Sequence, residues 1–155
     1  MRILVLGVGN ILLTDEAIGV RIVEALEQRY ILPDYVEILD GGTAGMELLG
    51  DMANRDHLSI ADAIVSKKNA PGTMMILRDE EVPALFTNKI SPHQLGLADV
   101  LSALRFTGEF PKKLTLVGVI PESLEPHIGL TPTVESMIEP ALEQVLAALR
   151  ESGEE

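Results

Sequence analysis

Ile3-Leu4-Val5-Leu6-Gly7-Val8-Gly9-Asn10 is the stretch from which the architecture follows. An unbroken apolar run closed by glycines fits a strand covered on both faces, as in a parallel sheet held between helical layers. Thr14-Asp15-Glu16 then reads as a helix start, with a hydroxyl placed to cap and two acids in the first turn. Ile18, Ile22, Val23 and Leu26 supply that helix with an apolar stripe.

The same alternation continues outward. Val36 to Leu39 and Leu58 to Ala61 read as strands, the first running into Asp40-Gly41-Gly42-Thr43 and the second into Asp62. A short helix is expected through Met46, Leu48 and Leu49. Met74 to Leu77 is a fourth strand, reached across the turn signal Asn69-Ala70-Pro71-Gly72. That connection is too short for a helical crossover, so antiparallel pairing is expected there. Ser91-Pro92-His93-Gln94 opens a helix: Ser91 can cap, Pro92 suits the first position and Gln94 completes a capping box. Leu97, Leu101 and Leu104 form its buried face, and Leu114 to Val119 is the last strand. Thr131-Pro132 starts a final helix carrying Val134, Met137, Ile138, Ala141, Leu142, Val145, Leu146 and Leu149, with Pro140 set to bend or restart it. The expected fold is a single domain over residues 1–155, a three-layer α/β/α sandwich around a twisted, mostly parallel five-stranded sheet.

Composition narrows the function. Hydrophobic residues make up 46% of the 155 positions, enough for a core, while aromatics are only 3% and tryptophan is absent. Net charge is −12, and the only basic pairs, Lys67-Lys68 and Lys112-Lys113, fall at loop or strand starts. No basic stripe exists to hold nucleic acid or an anionic membrane surface. No apolar run approaches the ~18 residues of a membrane span, and the first one is too short for a signal-peptide core. A cytoplasmic monomer is the expectation. With no cysteine, thiol catalysis and thiolate metal sites are excluded.

In open α/β sheets ligands collect beyond the carboxyl ends of the strands. Polar segments converge there: Asn10 to Glu16, Asp40 to Thr43, Asp62, and His93 at a helix start. Glu16, Asp62 and His93 together offer two carboxylates and an imidazole, a donor set suited to a borderline divalent metal. The positive field of a helix N-terminus disfavours imidazolium at His93 and favours carboxylate at Glu16. Each also has a plainer role: Glu16 can satisfy a helix end, Asp62 can cap a loop, and His93 can simply start its helix. Thr43 suits a cap, and Gly41, Gly42 and Gly45 suit a strand-to-helix turn. His57 and His127 flank no acid cluster and read as surface or loop histidines. Gly7-Val8-Gly9 invites a dinucleotide-binding reading, but the third glycine position is Leu12. Ser66, Ser91, Ser102 and Ser123 lack a nucleophile elbow, so a hydrolase of this sequence needs an acid or a metal to activate water.

Six segments, taken together, resemble the hydrogenase maturation endopeptidases. They are Gly7-Val8-Gly9-Asn10-Ile11-Leu12-Leu13-Thr14-Asp15-Glu16, Asp40-Gly41-Gly42-Thr43, Ala61-Asp62-Ala63, Ser91-Pro92-His93, and the closing pair Pro121-Glu122-Ser123-Leu124-Glu125 and Leu130-Thr131-Pro132-Thr133-Val134. The resemblance implies an acid- or metal-dependent, aspartyl-type peptidase. Its substrate would be the nickel-loaded precursor of the nickel–iron hydrogenase large subunit, from which it removes a short C-terminal extension. It further implies that Glu16, Asp62 and His93 are both the metal ligands and the catalytic residues, and that Asp40, Gly41, Gly42 and Thr43 line the cleft for the substrate tail. The nickel would arrive with the substrate, another divalent ion taking its place in isolated protein. The chain departs from the family at Ala17, where many members have glycine, and at Ile120, where many have glutamine. Two other classes stand beside this reading: a nickel carrier that cuts nothing, and a dinucleotide-binding enzyme.

Overall fold

The opening apolar run is β1 (Ile3–Val8), buried along its whole length. In the computed structural model, which describes residues 1–87 and 92–153, it lies between β2 (Val36–Gly42) and β3 (His57–Ala63). β5 (Lys113–Val119) follows β3, and β4 (Met74–Arg78) closes the edge, giving the order β2-β1-β3-β5-β4. All neighbours are parallel except β4 and β5, which pair antiparallel as the short connection before β4 requires.

Period-two alternation divides the core into two layers. Ile3 and Val5 of β1 face α1 (Ile18–Arg29) and α6 (Ile138–Gly153). Leu4, Leu6 and Val8, with Leu58 and Ile60 of β3, face α4 (Pro92–Thr107) on the other side. Leu97, Leu101 and Leu104 are buried, as their spacing predicts. The smaller helices are α2 (Leu49–Met52), α3 (Glu81–Thr87) and α5 (Pro132–Glu135). α3 was not evident from periodicity. Among the described residues no helix is long and apolar enough to cross a membrane.

Several local expectations are corrected. Thr14–Ala17 is a separate 3₁₀ turn, and α1 begins only at Ile18, with no side-chain cap on either. The helix expected through Met46 is a 3₁₀ turn (Met46–Leu48) running into α2; the Glu47 carboxylate, not Thr43, accepts the Gly45 N–H at its start. That bond holds the Glu47 carboxyl below its ordinary range. Asp62 does not follow β3 but lies within it, and Asp40 lies within β2. The final helix restarts rather than bends: α5 stops at Glu135, and Pro140 falls in the first turn of α6, where its missing N–H costs nothing. Thr131 caps α5 through its hydroxyl, as the Thr-Pro pair predicts. Ser91 lies outside the described residues.

α1 reaches the ends of the strands through one small residue. A Cβ at Gly19 would sit 2.1 Å from the Ala61 carbonyl oxygen and 2.6 Å from that of Val8. Only glycine lets the helix approach the C-terminal ends of β1 and β3 this closely.

His57 also departs from expectation. It is fully buried at the start of β3, its Nε2 3.0 Å from the Thr115 hydroxyl and its Nδ1 2.6 Å from that of Ser152 in the last turn of α6. Burial, reinforced by the charge of Lys113, pushes its pKa from 6.5 down to about 4. The unfolded chain therefore takes up a proton that the fold resists, and stability falls as pH drops from 6.5 towards 4. Between pH 7 and 4.5 the native protein should lose about 2 kcal/mol more stability in urea unfolding than a His57→Gln variant. Equal losses in the two proteins would contradict this.

Candidate active site

The loop between β1 and α1 is built around Glu16. A Cβ at Gly9 (φ +137°) would lie 1.9 Å from the Glu16 carbonyl oxygen, so glycine is required on both conformational and steric grounds. The Glu16 carboxylate accepts the Asn10 N–H at 3.1 Å, and the Asn10 side chain accepts the Leu12 N–H at 2.9 Å. The loop thus closes on its own acid. Gly7 and Gly9 serve close packing against α1 and this turn. They do not form a phosphate cradle, since α1 starts well beyond them at Ile18.

Asp62 is 0% exposed. Counting by twos from Leu58 and Ile60 puts its side chain on the α4 side of the sheet. There its Oδ2 accepts a hydrogen bond from the Gln94 side-chain amide at 2.9 Å, while its Oδ1 accepts the Ala63 N–H at 2.8 Å. Gln94 is itself buried, and its amide also donates to the Ala63 carbonyl at 3.1 Å. The capping-box role expected for Gln94 is therefore replaced by a tether between α4 and β3. The 3₁₀ turn holding Glu16 packs against the same strand.

His93 is the second residue of α4, next to Gln94, and its side chain lies outside the described residues. Among the described residues, no three His, Asp or Glu side chains converge as a metal-binding group. The structure thus brings the elements bearing Glu16 and Asp62 to one end of the sheet and fixes the start of α4 beside them.

The Asp40–Thr43 segment borders this end. Its Gly42 carbonyl accepts the Gly9 N–H at 2.8 Å, which ties the end of β2 to the Glu16 loop. The Asp40 carboxylate is exposed and accepts the Gly42 N–H at 2.9 Å. Two residues on, Gly45 and Gly96 of α4 meet without side chains, a Cβ on Gly45 falling 3.2 Å from the Gly96 Cα. The three segments form a continuous edge. A cleft of about 420 Å³ lined by Tyr30, Leu32, Tyr35 and Leu149 opens at the other end of β2, near the start of that strand, and contains no acid.

The sequence presents Asp15 as a helix-start acid, and the structure gives it a different task. It is 0% exposed, and four donors reach its carboxylate: the Glu122, Ser123 and Thr131 N–H groups at 2.9, 3.0 and 2.8 Å and the Thr131 hydroxyl at 2.8 Å. Thr14, at φ 52°, donates its hydroxyl to the Glu125 carbonyl, and its N–H to that of His127 at 2.9 Å. The loop from Glu122 to Thr131 is therefore strapped to the turn that carries Glu16. His127 is exposed, as expected, and contributes only backbone to this strap. The polar sequence around Asp15 looks like a cap because donors more than 100 residues away leave no local trace.

Comparison with known proteins identifies the family and the fold. A family model described as hydrogenase maturation protease matches residues 20–148. The chain is 98% identical over 155 residues to the hydrogenase 2 maturation protease of Escherichia coli K12, spanning 100% of this chain and 94% of that protein. It is 46% identical over 154 residues to the hydrogenase expression/formation protein HupM of Azotobacter chroococcum, spanning 98% of this chain and 73% of that protein. Among solved structures, the hydrogenase maturating endopeptidase HybD from E. coli superposes with a TM-score of 0.97 at 99% identity, over 99% of this chain and 94% of that one. HybD from Thermococcus kodakarensis shares the fold, with a TM-score of 0.79 at 24% identity over 96% of this chain and 99% of that one.

Replacing Asp15 by asparagine turns one acceptor oxygen into a donor facing donors. Stability should fall by about 3 kcal/mol, and the Ser123 and Thr131 amides should exchange with solvent faster than in wild type. A loss under about 1 kcal/mol with unchanged exchange would show that the strap does not depend on this carboxylate.

Proposed function

This chain belongs to the hydrogenase maturation protease family, and on that premise we propose that it removes a short C-terminal extension from the nickel-loaded precursor of a nickel–iron hydrogenase large subunit. In this reading Glu16, Asp62 and His93 take up the nickel already seated in the substrate, and Asp40, Gly41, Gly42 and Thr43 line the path of its tail. The observation that carries it is the Asp62 carboxylate, buried within β3 yet turned onto the α4 layer and held at the start of the helix that bears His93.

The chemistry of the donors supports the reading. Two carboxylates and an imidazole suit a borderline divalent ion, and three protein donors leave room for ligands already on the substrate. The buried Asp62 carboxylate also makes a selective receptor: a cation in the incoming substrate compensates charge that is costly to bury alone. With no cysteine in the chain and no serine in a nucleophile elbow, water serves as the nucleophile. A carboxylate of the cluster takes the water's proton as it attacks the scissile carbonyl carbon and passes it to the amide nitrogen as the C–N bond breaks.

A protein substrate fits the surroundings. Ile11, Leu12, Met46, Leu95, Leu124 and Ile128 are all exposed, and all lie in loops or helix starts at the same end of the sheet as Asp62. A large apolar rim around a polar centre marks a surface for a macromolecule rather than a small polar ligand.

Incubation of the enzyme with nickel-loaded large-subunit precursor should yield a product of lower intact mass, shortened at its C-terminus. Nickel-free precursor should be processed at least about 100-fold more slowly, and Asp62→Asn and His93→Ala should each lower the rate with loaded precursor by a similar factor. Tight nickel binding without any cleavage would favour a carrier. Normal cleavage by both variants would remove the cluster from the mechanism.

A further inference from the structure

We propose that Gln94 is a positioning residue for the metal-recognising cluster: its side-chain amide fixes the Asp62 carboxylate and, through it, the start of α4. The inference rests on the reading of Glu16, Asp62 and His93 given above and names a fourth residue on which that site depends.

The argument begins with burial. Gln94 is 2% and Asp62 0% exposed, so their 2.9 Å hydrogen bond is shielded from competing water. A hydrogen bond to an ionised acceptor in such a setting is stronger and shorter than a neutral one. Gln94 donates to two acceptors at once, Asp62 Oδ2 and the Ala63 carbonyl at 3.1 Å. Two acceptors for one amide group define its rotamer. The other Asp62 oxygen is held by the Ala63 N–H at 2.8 Å, so the carboxylate is gripped at both oxygens and its plane cannot turn freely.

The consequence extends to α4. Gln94 lies in the first turn of that helix, directly after His93. A side chain anchored on β3 sets both the distance of this turn from the sheet and the rotation of the helix about its axis. Deeper in the helix, the contact of Gly96 with Gly45 fixes the same quantities from the β2 side. Residue 93 therefore leaves a backbone constrained from two directions. The pattern is that of ligand sites in general, in which a partner behind the ligating group orients it, and loss of that partner weakens metal binding by about 10–100-fold.

The test uses zinc(II) as a diamagnetic probe and the full-length protein. Gln94→Met keeps the length and apolar volume of the side chain and removes both donors. Its zinc(II) affinity, measured by calorimetry on protein shown to be folded, should be about 10–100-fold weaker than wild type, while Asp99→Asn, at an exposed position of α4, should match wild type. A merely structural Gln94 would lower the unfolding midpoint and leave the affinity of the folded protein within about twofold of wild type, which would overturn the proposal. If Gln94→Met does not fold, the wild-type protein decides: the Gln94 side-chain amide resonances should shift on saturation with zinc(II), and resonances that stay in place would overturn it. Asp62→Asn separates the two levels. If it binds zinc(II) as tightly as wild type, the cluster reading fails and Gln94 falls with it. If it loses binding while Gln94→Met does not, only the positioning role is refuted.

Discussion

A carboxylate with no access to solvent, placed four residues after Leu58 and two after Ile60 in an otherwise apolar strand face, is the constraint to which the rest of this end of the molecule answers. Asp62 cannot be buried there without donors, and the donors come from its own neighbour Ala63 and from Gln94 on the helix opposite. That requirement draws the first turn of α4 down onto the sheet. The same strand also receives the turn that holds Glu16, because Gly19 lets α1 come within contact of the Ala61 and Val8 carbonyls. The acid, the helix start and the first loop are thus gathered by three short-range contacts.

The two fully buried aspartates show how one residue type serves two purposes. Asp15 is surrounded by three backbone N–H groups and a hydroxyl, all from one distant loop. Its charge organises backbone, and its loss is expected to loosen the loop. Asp62 lies at the sheet end among elements of both layers, tied to a side chain rather than to a loop. The strap centred on Asp15 supports the Glu16 turn from outside, and the Asp62–Gln94 pair ties the start of α4 to β3. Loss of either carboxylate alone would leave its buried donors unsatisfied.

Much of this was legible in the sequence, and what was not has a physical reason. Strand positions, the two-sided burial of β1, the antiparallel pairing of β4 and the α4 face at Leu97, Leu101 and Leu104 follow from local periodicity and connection length. The acids gathered at the strand ends follow from strand direction alone. His57 was misread because a histidine shows no periodic sign of burial, and its hydroxyl partners Thr115 and Ser152 lie 58 and 95 residues away. Asp15 and Gln94 were misread for a related reason: acids and amides near a helix start have an adequate local explanation, and their actual partners are far along the chain. The separation of the 3₁₀ turn Thr14–Ala17 from α1 depends on packing that local pattern does not encode, whereas the restart of the last helix is one of the two outcomes Pro140 allows.

The central claim is geometric, that Glu16, Asp62 and His93 meet around one ion. Crystals of the protein soaked with nickel(II) and measured at the nickel absorption edge test it directly. The account predicts a single strong anomalous peak at the C-terminal end of β3, with a carboxylate oxygen of Glu16, one of Asp62 and a ring nitrogen of His93 each at about 2.0–2.2 Å, as for imidazole and carboxylate ligands of a similar ion. A peak elsewhere, or one that Asp62 does not touch, would contradict it.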